Sequence, residues 1–480
     1  MNDKKPLMDY RRVQKLQTPL LFTGALLSGV GTSVSVPLVI LGIAIMLFAI
    51  VIWVLYYRCP HCGRPLGRIG EGGAYCPHCG KANGFTKEED TLDGWFDSGS
   101  THFASMERTQ GFWPATMYLE GLDQYRGWFQ SSLLTAVGAL GRGAPFKECV
   151  THGWTVDGQG RAMHKSLGNG VDPAEVFNKY GADLLRLWAG SSDYHVDVRC
   201  SDEIFKQLSQ NYLKFRNTAK FCLDNLTDFD PNTLVAPADM LELDKWALTC
   251  LNALIAKVFT AYDNYEFHVV SHAVNDFCVV ELSSFYFDII KDRLYCDGAE
   301  SLSRRSAQTA LYLILDAMTR MFAPILAFTC DEIWLAMPHR TGDDERNVLL
   351  NEMVQPYTQY ALSPEEMARW DRIAAVRTAV NGALEQARAD KTIGKSLEAE
   401  VDLTVPAEDA FLSQMEEGAL ADLLIVSQVR VETGDSLSVT VRPAAGTKCQ
   451  RCWKHHPLVG ANAAHPTLCP RCAKVVQAIH

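Results

Sequence analysis

Eight of the fifteen cysteines in this 480-residue chain fall in four Cys-x-x-Cys pairs. Cys59 and Cys62 are followed after thirteen residues by Cys76 and Cys79, and Cys449 and Cys452 after sixteen residues by Cys469 and Cys472. Two such knuckles bring four thiolates to the corners of a tetrahedron, the coordination of a structural zinc ion, with no position left open for catalysis. Two structural Zn2+ sites are therefore expected, and Gly63 and Gly80 leave backbone N–H groups free to bond the sulfurs. Disulfides are the alternative. The seven remaining cysteines are scattered singly through helical-looking sequence, which fits reduced thiols and a cytosolic compartment. His61 and His78, inside the knuckles, read as surface residues.

A second chemical signal is THGWTVDGQGRAMHKSLGN, residues 151–169. It reads as a short apolar strand, a turn at Gly158 and Gly160, then a mobile loop carrying Arg161, His164, Lys165 and Ser166. Asp172-Pro173 then opens a helix. Lysine is a compact charge on a flexible stem, so Lys165 suits a polyphosphate whose charge moves during nucleotidyl transfer. Taken alone, the signal is weak, because most Lys-Ser-x-Gly loops are solvated turns. Glu120, Asp123 and Gln124 form a third cluster, one turn beyond the strand-like 116–119. Carboxylates at the carboxyl end of a parallel strand can accept bonds from an ammonium group or ribose hydroxyls. Asp123 could instead cap a helix beginning near Tyr125.

The elements that must position these groups resemble a known family. With Ala162, Met163, His164, Lys165 and Ser166 in its five places, the loop resembles the second signature of the class I aminoacyl-tRNA synthetases, usually Lys-Met-Ser-Lys-Ser. DTLDGWFDSGSTHFA (90–104), MYLEGLDQYRGWFQSSLL (117–134) and GVDPAEVFNKYGADLLRLW (170–188) resemble the bacterial isoleucyl-tRNA synthetases. The likeness runs from about residue 91 to the end. It implies that Trp95 and Trp128 wall a pocket for a branched side chain, and that Glu120 binds the aminoacyl-adenylate. Asp123 and Gln124 would lie near the amino acid or ribose, and His152 would approach the adenylate. Lys165, with His164 and Ser166, would act on the triphosphate of ATP, bound with Mg2+. The substrates implied are ATP, isoleucine and tRNA. Pockets of this kind discriminate one methylene poorly; the limit is well known for this enzyme family.

Two departures from the family pattern matter. Ala162 and His164 replace the first lysine and the serine of the signature, which removes one permanent charge. The family's first signature, His-Ile-Gly-His, does not occur, so the chain alone is not expected to form adenylate. A separate polypeptide supplying that half is one expectation. A membrane-tethered tRNA-binding or regulatory protein without catalysis is the other.

The N-terminus supplies the tether. Val36–Tyr57 is a run of 22 uncharged, apolar residues, long enough to cross a hydrocarbon core of about 30 Å as a helix. Pro19–Ser35 is a weaker apolar stretch. Lys4, Lys5, Arg11, Arg12 and Lys15 precede the pair and Arg58, Arg64 and Arg68 follow it, which places both ends on the cytoplasmic side. A two-span hairpin through residues 19–57 is expected, or a single span or re-entrant segment because the first limb is short, holding a cytoplasmic body at the membrane.

Net charge is −11, which argues against indiscriminate coating of nucleic acid but allows a local basic face. Apolar residues recur at helical spacing at Phe205, Leu208, Tyr212, Phe215 and Ala219 and at Leu251, Leu254, Ile255 and Val258, and 310–326 is strongly apolar. The expected class is α/β plus all-α: the second half of a Rossmann-like nucleotide-binding domain, a helical anticodon-binding bundle, a small α+β domain and a zinc finger, after a transmembrane segment and zinc ribbon. The expected divisions are a membrane anchor at 1–57, the ribbon at 58–84, the catalytic half at 85–200, the bundle at 201–396, the small domain at 397–445 and the zinc finger at 446–480. Asp331, Glu332 and Trp334 resemble a family packing turn, and Lys395-Ser396 reads as a turn or a contact to the tRNA backbone. Around the last cysteines, Arg451, Trp453, Lys454, His455, His456, Arg471 and Lys474 would suit RNA phosphates and unstacked bases.

Overall fold

A computed structural model describes residues 10–59, 61–66, 76, 78–79, 81, 90–416 and 418–479. Lys4, Lys5, Arg68, Gly80 and most of residues 81–90, whose polar sequence reads as a linker, lie outside these. The chain divides into two units, residues 1–101 and 102–480.

In the first unit, helix α1 (Tyr10–Val34) turns at Ser35 into α2 (Val36–Tyr56). Gly24 faces Gly42 and Met46, and Gly31 faces Val39, so the helices run antiparallel. A Cβ on Gly24 would stand 2.8 Å from the Gly42 carbonyl, and one on Gly42 2.6 Å from that of Gly24. Small residues here let two backbones touch, the packing that serves helices lacking a hydrophobic drive to associate. Among the described residues α2 alone is long and apolar enough to cross a membrane, with a mean hydropathy of 3.2. α1 carries Arg12, Lys15 and Gln17 near its start. A short helix, α3 (Gly94–Gly99), is capped by Asp93, which accepts from Trp95 N at 2.8 Å.

The second unit opens with a π-helical stretch, His102–Gln110, followed by two parallel strands, β1 (Ala115–Gly121) and β2 (Phe146–His152), joined through helix α4 (Trp128–Leu134). A second parallel pair follows, β3 (Thr155–Asp157) and β4 (Val198–Cys200). Between them lie the Lys165 loop, α5 (Pro173–Tyr180) and α6 (Ala182–Ser191). Asp172 caps α5 by accepting from Ala174 N at 2.9 Å, with Pro173 in the first turn where a missing N–H costs nothing.

The bundle comprises α7 (Asp202–Asp224), α8 (Glu242–Asp263), α9 (Phe267–Asp276), α10 (Phe287–Cys296), α11 (Leu302–Phe322), α12 (Ala327–Ala336) and α13 (Pro364–Ala389). A π-helical stretch, Phe277–Tyr286, carries α9 into α10. α11 is buried on every face from Ser306 to Phe322, which makes it the axis of the core. Trp334 is fully buried, and its indole N–H donates to the Asp344 carbonyl, so the turn around Asp331 packs the core. Asp183 on α6 is buried and accepts from Phe328 N and from Thr329 N at 2.7 Å, at the N-terminus of α12. A carboxylate there satisfies orphan donors and complements the helix dipole. It couples the segment that follows the Lys165 loop to the bundle.

Beyond the bundle, β5 (Ala399–Val405) lies between β6 (Gln428–Thr433, parallel), reached through α14 (Ala419–Leu424), and β7 (Ser438–Pro443, antiparallel). The zinc-finger region holds β8 (Thr447–Lys448), β9 (His455–His456) and α15 (Pro470–Ile479).

Candidate functional site

Glu120 and Gly121 lie beside Thr151 and His152 at the carboxyl ends of β1 and β2, the end at which parallel sheets hold ligands. Glu120 is exposed. The His152 ring shares a 2.8 Å hydrogen bond with the Gly153 carbonyl through Nδ1, which orients the ring. Gly153 admits a crossing backbone: a Cβ there would lie 2.4 Å from the Val196 carbonyl group. Asp123 does not cap the next helix. Its carboxylate accepts from Gln124 Nε2, and the Gln124 Oε1 accepts from Trp128 N at 2.9 Å, tying α4 to the strand end. Trp128 stacks on Tyr118 at 4.3 Å, and the Tyr118 hydroxyl is bonded to Ser132. Trp95, 43% exposed, belongs to the first unit.

Parallel strands are ordinarily covered on both faces. Here β1 buries Tyr118, whereas Leu119 is 54% exposed, and Leu122, Leu134 and Val137 are also exposed. Among the described residues no third strand pairs with β1 or β2.

The loop, expected to be mobile, is tied down at several points. Asp157, at the end of β3, accepts from Gln159 N, Arg161 N, the Arg161 guanidinium and Asn169 Nδ2. Gly160 turns the chain at φ +81°. Lys165 opens a 3-10 turn, Lys165–Leu167, that Gly168 closes at φ +59°, a conformation favoured by glycine. His164, Lys165 and Ser166 are all exposed.

Both cysteine clusters converge, with ligand atoms within 4.8 Å of one another. Sulfur separations are 3.8 Å for Cys59–Cys79, 3.7 Å for Cys62–Cys76 and 3.8 Å for Cys452–Cys469. A tetrahedron with Zn–S bonds of about 2.3 Å has edges of about 3.8 Å, whereas a disulfide needs about 2.05 Å. The N–H groups of His61, His78 and Cys469 donate to Cys59, Cys76 and Cys449 sulfurs at 3.3–3.4 Å, the bonding that stabilises thiolates. Four sulfurs so spaced fit zinc.

The C-terminal cluster is anchored to the bundle. Arg471 forms a two-pronged pair with Asp292 of α10 at 2.5 and 2.8 Å, Arg451 donates to the Cys296 carbonyl, and Lys454 pairs with Asp422 of α14. Cys296, at the end of α10, packs against the four cysteines of this cluster. Trp453 sits at φ +68° within the knuckle and is 55% exposed. Lys395 Nζ lies 5.8 Å and Lys448 Nζ 5.4 Å from its ring centre. A cavity of about 420 Å3, lined by Tyr295, Cys296, Leu397, Trp453 and Lys454, adjoins it. Sequence reasoning missed Lys448 and the approach of Lys395; only the basic composition near the cysteines hinted at them.

Three family models match: "tRNA synthetases class I (I, L, M and V)" over residues 77–201, "Anticodon-binding domain of tRNA ligase" over 244–403, and "Zinc finger found in FPG and IleRS" over 446–475. An isoleucine–tRNA ligase of Syntrophotalea carbinolica is 49% identical over 82% of this chain and 43% of its own length. From residue 77 onward, the chain belongs to the isoleucine–tRNA ligase family. The corresponding ligase of Desulforamulus reducens is 48% identical over 88% of this chain and 45% of its own. The chain thus spans less than half the length of these relatives. Among solved structures, a LeuRS of Agrobacterium radiobacter K84 in a ternary complex with tRNA aligns over 81% of this chain and 43% of its own, at 16% identity and a TM-score of 0.46.

Proposed function

We propose that this chain carries the tRNA-binding part and half of the catalytic part of an isoleucine–tRNA ligase, and that a second polypeptide completes its open sheet. The completed enzyme would join isoleucine to tRNA at the expense of ATP, releasing AMP and pyrophosphate. The observation that carries this reading is that Glu120, opposite Thr151, and His152, opposite Gly121, stand at the carboxyl ends of two parallel strands whose other face, at Leu119, is uncovered. Glu120 would hold the adenylate, Asp123 and Gln124 would lie near the amino acid or ribose, and Trp128 would wall the side-chain pocket. Lys165, flanked by His164 and Ser166, would neutralise the phosphates of Mg2+-bound ATP as the isoleucine carboxylate attacks the α-phosphorus and pyrophosphate departs. Cys449, Cys452, Cys469 and Cys472 would hold one structural zinc, and Cys59, Cys62, Cys76 and Cys79 a second. Zinc supplies rigidity at both places.

The deciding experiment is isoleucine-dependent ATP–pyrophosphate exchange by the purified chain, with a tRNA gel shift on the same sample. The expected result is tRNA binding without exchange. Exchange abolished by Lys165→Ala would overturn the need for a second polypeptide. A tethered tRNA-binding protein is the second reading, favoured by the long apolar α2. It too predicts tRNA binding, but no exchange after addition of the N-terminal part of a relative. In either case α1 and α2 would hold the body on the cytoplasmic face, and flotation with liposomes tests this.

Trp453 is the expected stacking platform. Its exposed ring and two neighbouring ammonium groups offer a base one π-face and its phosphates two charges. Trp453→Ala should weaken tRNA binding about tenfold or more, since a stacked base contributes about 1–3 kcal/mol. An unchanged gel-shift midpoint would remove Trp453 from the interface.

A further inference from the structure

The Lys165 loop is built around one buried carboxylate. Asp157 is only 6% exposed, yet it lies at the root of a loop whose tip is in solvent. Its Oδ1 accepts from Gln159 N at 3.0 Å and Arg161 N at 2.9 Å; its Oδ2 accepts from Arg161 Nε at 2.8 Å and Asn169 Nδ2 at 2.9 Å. Asn169 then reaches back into the loop. Its Nδ2 also donates to the Ala162 carbonyl at 3.1 Å, and its Oδ1 accepts from His164 N at 2.9 Å. Two side chains twelve residues apart therefore fix the start, middle and end of the segment. His164 N is the backbone group immediately before Lys165.

We propose that Asp157 and Asn169 form a latch that holds the backbone carrying Lys165 in one conformation, ready for a phosphate, so that both act as positioning residues. The inference rests on the reading of Lys165 as a phosphate-binding residue. The physical reason is entropic. A lysine on a free loop loses backbone freedom when it meets its ligand, whereas here the backbone is ordered beforehand and only the side chain must settle. The latch also explains why a carboxylate is tolerated in a cationic loop. The Asn169 amide, followed by the Arg161 N–H, holds the Asp157 carboxyl far below the usual carboxylate range. The Arg161 guanidinium at 2.8 Å cancels its charge, so that Asp157 does not draw on the charge of Lys165. The signature itself departs from the family pattern at Ala162 and His164, but the latch engages those two residues only through backbone groups, which any residue supplies.

Asp157 is buried, so the primary test uses Asn169→Ala in the 480-residue chain, with Asp157→Asn as a second variant. Trypsin cleaves after Arg161 and Lys165 only where the loop can open. Asn169→Ala should raise the rate of cleavage after Lys165 about tenfold, the effect of losing hydrogen bonds to a charged group, with the melting temperature unchanged. Binding of inorganic pyrophosphate with Mg2+, followed by calorimetry, should weaken by about the same factor. A residue acting through Lys165 should add nothing further in a Lys165→Ala background, whereas an unrelated structural defect would add its full effect. Unchanged cleavage, or additive losses of affinity, would overturn the latch. Undiminished pyrophosphate binding in Lys165→Ala would overturn the phosphate reading and the positioning role with it. The cleavage rate separates the two failures, because it reports on the loop without any ligand.

Discussion

Replacing Cys472 by serine is expected to release the C-terminal zinc and abolish tRNA binding, leaving one metal per chain in the N-terminal ribbon. A structural zinc in a small module supplies apparent free energy on the order of 10 kcal/mol, more than the module's few apolar contacts can replace. Cys472 is fully buried beside Cys296, at the base of α15, so a serine there leaves three thiolates and a weaker oxygen ligand. Loss of the ion frees the knuckle turn that presents Trp453, and frees Arg471 from its pairing with Asp292. Metal content by mass spectrometry and a tRNA gel shift provide the check. A variant retaining two zinc ions, or wild-type tRNA affinity, would show that the cluster does not organise this surface. Cys62→Ser should remove the other zinc and leave tRNA binding intact.

The second large effect is on stability. Asp244 on α8 is wholly buried and accepts from the Tyr286 hydroxyl at 2.7 Å, from Arg293 at 2.7 and 2.8 Å, and from Ser306. One carboxylate thus joins α8, the π-helical stretch, α10 and α11. Asp244→Ala would strand the Arg293 guanidinium, 14% exposed, without its counter-charge. Breaking a buried pair from one side costs about 3–5 kcal/mol. For a bundle of this size that corresponds to a fall in melting temperature of about 10 °C. The loss should propagate, because α10 ends at Cys296 and carries Asp292, the anchor of the zinc module. Thermal melts of the two proteins, read by circular dichroism, test it. A shift below about 2 °C would mean that the network is dispensable.

Signals carried by neighbouring residues were legible. The two Cys-x-x-Cys spacings identified both convergent clusters, Asp172-Pro173 marked the first turn of α5, and the helical recurrence from Leu251 to Val258 marked a buried face of α8. Signals that depend on who packs against whom were not. Nothing local to Cys296 distinguishes it from Cys222, Cys278 and Cys330, which lie in the bundle core, yet it is buried against the zinc cluster where α10 ends. Asp123 had the composition of a cap, but Gln124 reached the Trp128 N–H first.

What this sequence determined by itself was its chemistry: which thiolates can gather round a metal, which loop can present a cation, which segments become helices and which run is apolar enough for a membrane. Each follows from residues a few positions apart, whose relation is set by helix pitch or by a turn. Only the tertiary structure decided that Lys395 and Lys448 flank Trp453, that Asp157 and Asn169 close the loop on itself, and that Leu119 faces an uncovered side of the sheet. Those relations join side chains whose separation is fixed by packing elsewhere, and packing is a property of the whole core rather than of any local run.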